Sequence, residues 1–170
     1  MENLSEFKKF ARHLANISAE IIKPYFRSEL KVDNKHDDSP VTIADKKAEE
    51  IMREEIMKEF PEHGIVGEEY GDHNESAEFK WVLDPIDGTK SFITGALSFG
   101  TLIALLKNKQ PILGVINHPI LNEFLIGDGT ETTLNNEIVK VRDCNDISEA
   151  TLLTTDHISI ARYYDPDAFD

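Results

Sequence analysis

The segment from Trp81 to Thr89, WVLDPIDGT, constrains the fold of this chain more than any other. Its apolar start predicts a buried strand, and two carboxylates, Asp84 and Asp87, follow three residues apart. Pro85 fixes one backbone torsion, and Gly88 allows a sharp turn that brings amide N–H groups close to a ligand. The segment therefore predicts a cage of oxygen atoms for a hard cation or, because Asp-Pro and Asp-Gly are common turn dipeptides, an ordinary turn.

A second short apolar run, Ile65 to Gly67, stands directly before two more acids, Glu68 and Glu69. Mg²⁺ prefers octahedral oxygen ligands and typically takes one or two protein carboxylates together with phosphate oxygens. Glu68, Asp84 and Asp87 suit that chemistry, whereas without a cation three clustered acids would repel and raise each other's pKa values. The alternative for Glu68 and Glu69 is a solvated loop after a strand.

Three motifs in this order and spacing resemble the inositol monophosphatase superfamily of Mg²⁺-dependent, Li⁺-sensitive phosphomonoesterases. They are Thr42-Ile43-Ala44-Asp45, which fits the family's Thr-x-x-Asp element, Gly67-Glu68-Glu69, and the segment Trp81–Phe92. The resemblance covers nearly the whole chain. Within the superfamily, the segments Ser91–Gly95 and Phe99–Leu106 are more similar to the histidinol-phosphate phosphatase branch than to the inositol branch.

The resemblance implies two or three Mg²⁺ ions, with Mn²⁺ as a possible substitute and Li⁺ as an inhibitor. It assigns the first ion to Glu68, Asp84 and the carbonyl oxygen of Ile86, and the second to Asp84 and Asp87. Such a pair of ions supports in-line displacement at a phosphate monoester. The favoured substrate is histidinol phosphate, in histidine biosynthesis, and the alternatives are inositol monophosphate and related nucleotide or sugar phosphates.

The same resemblance implies a catalytic group of Glu68, Thr89 and Asp45. The Thr89 hydroxyl, oriented by Asp45, would position the attacking water, and Glu68 would accept its proton. Asp87 and the amides of Gly88 and Thr89 would bind the phosphate at the start of a helix. The alternatives are that Asp45 and Thr89 only cap helices. By the same resemblance, Lys35 lies near the position of the family's mobile basic loop, which contacts metal-bound water.

The charge composition limits the kinds of molecule that this chain is expected to bind. Eighteen basic and thirty-two acidic residues give a net charge of −14, which disfavours nucleic acid and anionic membranes but is compatible with a small phosphorylated substrate beside divalent cations. The lone Cys144 cannot form an internal disulfide, and the acidic N-terminus does not resemble a signal peptide, so we expect a cytoplasmic protein. The resemblance implies a homodimer.

The pattern of apolar residues predicts an α+β fold in which two amphipathic helices pack on a mostly antiparallel sheet. We expect a helix over 4–26 that Pro24 kinks or ends, and a second helix that Thr42 and Asp45 cap and that stops at Phe60-Pro61. The predicted strands are 65–68, 80–83, 101–106, 112–116 and 123–126, followed by a hairpin over 134–139 that turns at Asn135-Asn136.

By resemblance this is the N-terminal subdomain of the layered αβαβα inositol-monophosphatase/fructose-bisphosphatase-like fold. We expect a metal- and phosphate-binding subdomain over 1–150 and, over 151–170, the start of a second subdomain that is mostly missing. The family's Trp-Asp motif, whose Asp is a further metal ligand, does not occur in this sequence. The chain is therefore expected to be a fragment or a truncated form, and a non-catalytic metal-binding or oligomerisation module is an alternative function.

Overall fold

The computed structural model describes residues 4–29, 32–34 and 40–151. The chain divides into two compact units, Met1–Val139 and Lys140–Asp170. The candidate residue Lys35 and, except for Thr151, the predicted second domain over 151–170 lie outside the described residues. The first unit carries all the residues of the predicted site.

The first helix, α1, spans Leu4–Ile22 and buries the predicted apolar stripe through Phe7, Ala11 and Leu14. A 3₁₀ turn, Lys23–Tyr25, follows it. Pro24 has no N–H to donate to an α-helical hydrogen bond, so the α-helix ends at Ile22 and not at residue 26. The prediction that Pro24 ends or kinks the helix is confirmed.

The second helix, α2, spans Ile43–Glu59 and begins at the predicted capping box. The Thr42 hydroxyl accepts a hydrogen bond from the Ala44 N–H at 3.1 Å, and Asp45 Oδ2 accepts one from the Thr42 N–H at 2.9 Å. These bonds satisfy backbone donors that a helix start leaves without intrahelical partners. The helix stops before Pro61, as its sequence predicts.

An eight-stranded mixed sheet runs in the order β10-β9-β8-β7-β6-β5-β3-β4. Its strands are β3 (Gly64–Gly67), β4 (Gly71–His73), β5 (Phe79–Asp87), β6 (Gly100–Lys107), β7 (Gln110–His118), β8 (Glu123–Gly127), β9 (Thr132–Leu134) and β10 (Glu137–Ile138). Neighbours are antiparallel except for the parallel pair β3 and β5. Asn135 and Asn136 adopt the predicted positive φ at the β9–β10 turn. The mixed, mostly antiparallel sheet is confirmed.

Strand β4 was not among the predicted strands, and two further features differ from the prediction. The short strands β1 (Val32–Asn34) and β2 (Pro40–Thr42) form a separate two-stranded sheet. The sequence did not predict it, because each strand has only three residues. Strand β5 continues past its predicted end at Leu83 and runs through Pro85 to Asp87. A register shift against β6 between Asp84 and Asp87 accommodates the proline, because a bulge leaves a residue out of the ladder.

The main core lies between the two long helices and one face of the sheet. Trp81 and Leu83 of β5 project into it beside Ile65, Leu105 and Met52. Because side chains alternate along a strand, Val82 and Asp84 project to the other face. A smaller cluster packs Ile22, Ala44, Ala48, Ile86, Phe92 and Phe99 together near the start of α2.

That other face is apolar and partly open. A depression of about 550 Å³ on it is lined by Val82, Leu102, Ile116 and Leu125 together with Asp84. Ile116 is 40% exposed there. Within the described part of the chain, no helix is both long and apolar enough to cross a membrane.

Candidate metal and phosphate site

The parallel pair of strands brings the acidic motifs together. Gly67, the last residue of β3, lies beside Leu83 of β5, so Glu68, just past the end of β3, comes next to Asp84, which is still within β5. The Glu68 N–H donates to the Leu83 carbonyl oxygen at 3.3 Å, which continues the pairing by one residue. The parallel pairing of β3 with β5 thus explains why two acids distant in sequence become neighbours.

Asp84 has an unusual electrostatic environment. Its pKa is raised from 3.8 to about 8, mainly by burial, and also by a hydrogen bond with the Glu68 side chain and by the nearby charges of Glu68, Asp87 and Asp45. A hydrogen bond between two carboxyl groups requires a proton on one of them. The structure therefore brings Glu68, Asp87 and Asp45 close enough to Asp84 for each to oppose its ionisation.

One oxygen of Asp84 has no hydrogen-bond partner among the described residues. Its Oδ1 atom is buried and accepts no hydrogen bond from any residue that the structure describes. Leaving a buried acceptor unsatisfied costs about 1–3 kcal/mol, and more for a charged group. A hard cation beside Oδ1 would remove this penalty and would also neutralise the surrounding acids, so the oxygen donors present fit Mg²⁺ or Mn²⁺.

These acids do not form a ready-made cage. Over residues 4–29, 32–34 and 40–151, no group of three or more His, Cys, Asp or Glu side chains has the geometry to hold a metal ion. The proximity of the acids to Asp84 and the absence of converging ligands are compatible, since like-charged carboxylates repel one another when no cation lies between them.

The turn after β5 has the predicted glycine geometry. Gly88 adopts φ +86° and ψ 41°, the left-handed region, and a Cβ atom there would come within 2.9 Å of the Ser98 carbonyl oxygen. The short helix α3, Thr89–Ile93, begins directly after it. The Thr89 hydroxyl donates to the Ile86 carbonyl oxygen at 3.1 Å. Because a carbonyl oxygen has two lone pairs, this bond leaves room for a second interaction at Ile86.

The start of α2 reaches the same region. Asp45 is only 2% exposed and accepts hydrogen bonds from both the N–H and the hydroxyl of Thr42. Its charge still acts on Asp84. The capping role of Asp45 is confirmed, and its role in orienting Thr89 stays a prediction.

A functional candidate that sequence reasoning missed is Glu49, on the next turn of α2. Its side chain is fully buried and accepts hydrogen bonds from the Glu69 and Tyr70 amides at 2.8 and 3.2 Å, and from Arg53 at 3.1 Å. A Glu in a helix rich in charged residues normally indicates a solvated face, so the only sequence signal was its place four residues after Asp45.

Two of the described histidines, His118 and His63, have contacts that indicate a structural role. His118 Nδ1 lies 2.8 Å from the Phe99 carbonyl oxygen, in accord with the structural role that its sequence context predicts. His63 stacks on Phe60 and Phe79 and lies within hydrogen-bonding distance of the Trp81 indole, at 3.2 Å.

Comparison with known proteins agrees with the motifs. The sequence pattern of the Inositol monophosphatase family matches residues 3–164. The chain belongs to the inositol monophosphatase family. An inositol monophosphatase from Zymomonas mobilis superposes with a TM-score of 0.72 and 45% identity, over 85% of this chain and 56% of that one. The layered α+β fold that the family resemblance implies is thereby confirmed.

Two curated relatives in the family extend the comparison. A protein named bifunctional phosphatase IMPL2, chloroplastic, from Arabidopsis thaliana is 52% identical over 155 residues, which is 89% of this chain and 45% of the relative. A protein named histidinol-phosphatase from Chlorobaculum parvum is 39% identical, over 87% of this chain and 58% of the relative. The chain thus spans about half the length of these relatives.

Proposed function

We propose that this chain supplies the cation- and phosphate-binding half of a Mg²⁺-dependent phosphomonoesterase. The observation that carries the proposal is the buried, unpartnered Oδ1 of Asp84 beside Glu68 and Asp87. Family membership supports the reaction class, because the relatives that match are phosphatases by name. Histidinol phosphate is the favoured substrate, since one of the more similar relatives is named histidinol-phosphatase.

We assign Mg²⁺ to Glu68, Asp84, the Ile86 carbonyl and Asp87; when bound, it supplies positive charge against the phosphate and lowers the pKa of water. We assign Glu68 as the proton acceptor, because its carboxyl group lies beside Asp84 and would lie next to the bound cation. The resemblance assigns Li⁺ as an inhibitor of the same site.

The proposed phosphate site lies where α3 begins. Gly88 has no side chain and adopts the left-handed conformation there, so the backbone amides at this turn are accessible to a ligand. We assign the amides of Gly88 and Thr89 to the phosphate oxygens and the Thr89 hydroxyl to the attacking water. In this assignment the bond from Thr89 to the Ile86 carbonyl fixes the rotamer of the hydroxyl. Asp45 caps the start of α2 through its bonds to Thr42, and its charge acts on Asp84.

The second candidate is a non-catalytic cation-binding module, because the buried Oδ1 of Asp84 among other acids supports cation binding but does not by itself supply turnover. The apolar depression beside Val82 and Leu125 supports self-association as a homodimer, which light scattering tests directly. A reducing compartment such as the cytoplasm suits the exposed Cys144 thiol.

A phosphate-release assay on this chain separates the candidates. Histidinol phosphate, inositol 1-phosphate, a nucleoside 3′-phosphate and fructose 1,6-bisphosphate are offered with and without Mg²⁺. Turnover that needs Mg²⁺ and disappears in Asp84→Asn supports the enzyme, and the preferred ester identifies its substrate. Cation binding without turnover of any ester supports the binding module. Absence of both turnover and cation binding overturns both proposals.

A further inference from the structure

The buried side chain of Glu49 accepts hydrogen bonds from three donors. One oxygen accepts the Tyr70 N–H and Arg53 Nη1, and the other accepts the Glu69 N–H. The same guanidinium nitrogen of Arg53 donates to the Gly71 carbonyl oxygen at 2.8 Å. Three of these four contacts tie α2 to residues 69–71, where β3 turns into β4, and the fourth, between Arg53 and Glu49, lies within α2.

The turn that Glu49 contacts is the one that carries Glu68. The peptide plane before the Glu68 Cα is fixed by its N–H bond to the Leu83 carbonyl, at 3.3 Å. The plane after it ends in the Glu69 N–H, which Glu49 holds at 2.8 Å. With both flanking planes fixed, the direction of the Cα–Cβ bond of Glu68 is fixed as well.

Gly67 shows that this fit is close. A Cβ atom at position 67 would lie 2.0 Å from Glu49 Oε1 and 2.7 Å from Arg53 Nη1. The glycine at the end of β3 therefore makes room for the carboxylate and the guanidinium, since its own backbone conformation demands no glycine. A buried carboxylate, its basic partner and the space for both form one unit beneath the turn.

We propose that Glu49 is a positioning residue for the cation site: it holds the 68–70 turn so that Glu68 stays beside Asp84. This inference rests on the proposed cation-binding function. Groups that orient metal ligands typically change metal affinity about 10- to 100-fold when they are removed. Glu49→Gln keeps the size of the side chain but leaves one acceptor oxygen for three donors.

The test compares Glu49→Gln with Glu54→Gln, a matched change at an exposed position of the same helix. Mn²⁺ alone is titrated calorimetrically, and amide hydrogen exchange is followed residue by residue. We expect Glu49→Gln to weaken Mn²⁺ binding about 10-fold or more, and to speed exchange at the Glu69 and Tyr70 amides about 10-fold while core amides such as Leu105 keep their rates. Glu54→Gln should match the wild type in both measurements.

A purely structural role would give a different result. Uniform loss of protection across the sheet, or unchanged Mn²⁺ affinity with faster exchange at 69 and 70, overturns the positioning role. If Glu49→Gln does not fold, Arg53→Gln removes the bridging guanidinium and leaves the carboxylate, and it should show the same local pattern with a smaller effect. If wild-type protein binds no Mn²⁺, the proposed function fails, whereas wild-type binding with no change in either variant refutes this inference alone.

Discussion

Two buried acidic sites in this protein differ in how completely their oxygens are satisfied. Around Glu49, two amides and a guanidinium supply three donors to the two oxygens. Around Asp84, other acids are the neighbours and Oδ1 has no donor within the described residues. A satisfied buried carboxylate stabilises the fold, whereas an unsatisfied one among like charges destabilises it until a cation binds. The contrast distinguishes Glu49, which supports the proposed cation site, from Asp84, which belongs to it.

The largest effect is expected at Asp84 itself. Asp84→Asn should weaken Mg²⁺ or Mn²⁺ binding about 100-fold or more, because it removes a charged ligand and keeps the shape. Calorimetric titration measures this, and Asp72→Asn, on the exposed strand β4, is the matched control. Without cation, Asp84→Asn should unfold at the same or higher denaturant concentration, unlike Glu49→Gln. Equal cation affinity in Asp84→Asn and Asp72→Asn would show diffuse surface binding.

The space around Glu49 gives the next largest effect. Gly67→Ala places a Cβ atom against Glu49 Oε1 and should lower the free energy of unfolding by about 2 kcal/mol. Gly114→Ala in β7 meets no atom within 4 Å and should be neutral or stabilise by less than about 1 kcal/mol. Urea denaturation of the two variants provides the comparison. Equal stability of both would mean that the carboxylate does not occupy the space beside Gly67.

The raised pKa of Asp84 predicts a pH dependence with a definite sign. Its folded-state pKa is raised from 3.8 to about 8, so its contribution to stability is complete below pH 3.8 and is lost as the pH rises to about 8. Between pH 6.5 and 8, cation-free protein should lose stability by less than the full slope of about 1.4 kcal/mol per pH unit, because solvent screens the partly exposed carboxyl. Saturating Mg²⁺ or Asp84→Asn should flatten this slope. A slope that persists in Asp84→Asn would assign it to another group.

The ionisation of His63 sets the lower limit, pH 6.5, of the pH range over which the Asp84 slope is measured. Burial lowers its pKa, so its neutral form is favoured in the folded state. Stability from His63 is therefore complete above its unfolded pKa of 6.5 and is lost as the pH falls below that value. Measurements above pH 6.5 isolate the acidic site.

The smallest expected effect is at the bulge that carries the acids. The buried Thr101 hydroxyl donates to the Pro85 carbonyl oxygen at 2.8 Å. Thr101→Val should lower the free energy of unfolding by about 1 kcal/mol, because the carbonyl loses its donor. Thermal denaturation measures this loss, and Thr133→Val, at a partly exposed position of β9 whose hydroxyl bonds to no described residue, is the control. Equal melting temperatures would show that the bulge does not depend on this bond.

Local signals in the sequence predicted much of the fold. The spacing of Thr42 and Asp45 predicted a helix start, Pro24 predicted a helix end, and Asn135-Asn136 predicted a tight turn. Each of these depends on residues within a few positions of one another, so the sequence contains the whole cause. The meeting of Glu68 with Asp84 was predicted from motif resemblance, and the parallel pairing of β3 with β5 explains it.

Non-local causes escaped prediction. Pro85 indicates a strand end by its chemistry, yet the opposing strand β6 offers Thr101 and a bulge that keep β5 extended to Asp87. Glu49 resembles its solvated helical neighbours in sequence, because its partners at 69 and 70 come from a different element. Gly67 has meaning only once Glu49 is known to lie against it.

The most direct test is a crystal structure of this protein grown with Mn²⁺ and measured near the manganese absorption edge. The account predicts an anomalous peak about 2.0–2.3 Å from Asp84 Oδ1, with Glu68 or the Ile86 carbonyl oxygen as a second ligand. A peak bound only elsewhere, with Asp84 Oδ1 still lacking a partner, would contradict it.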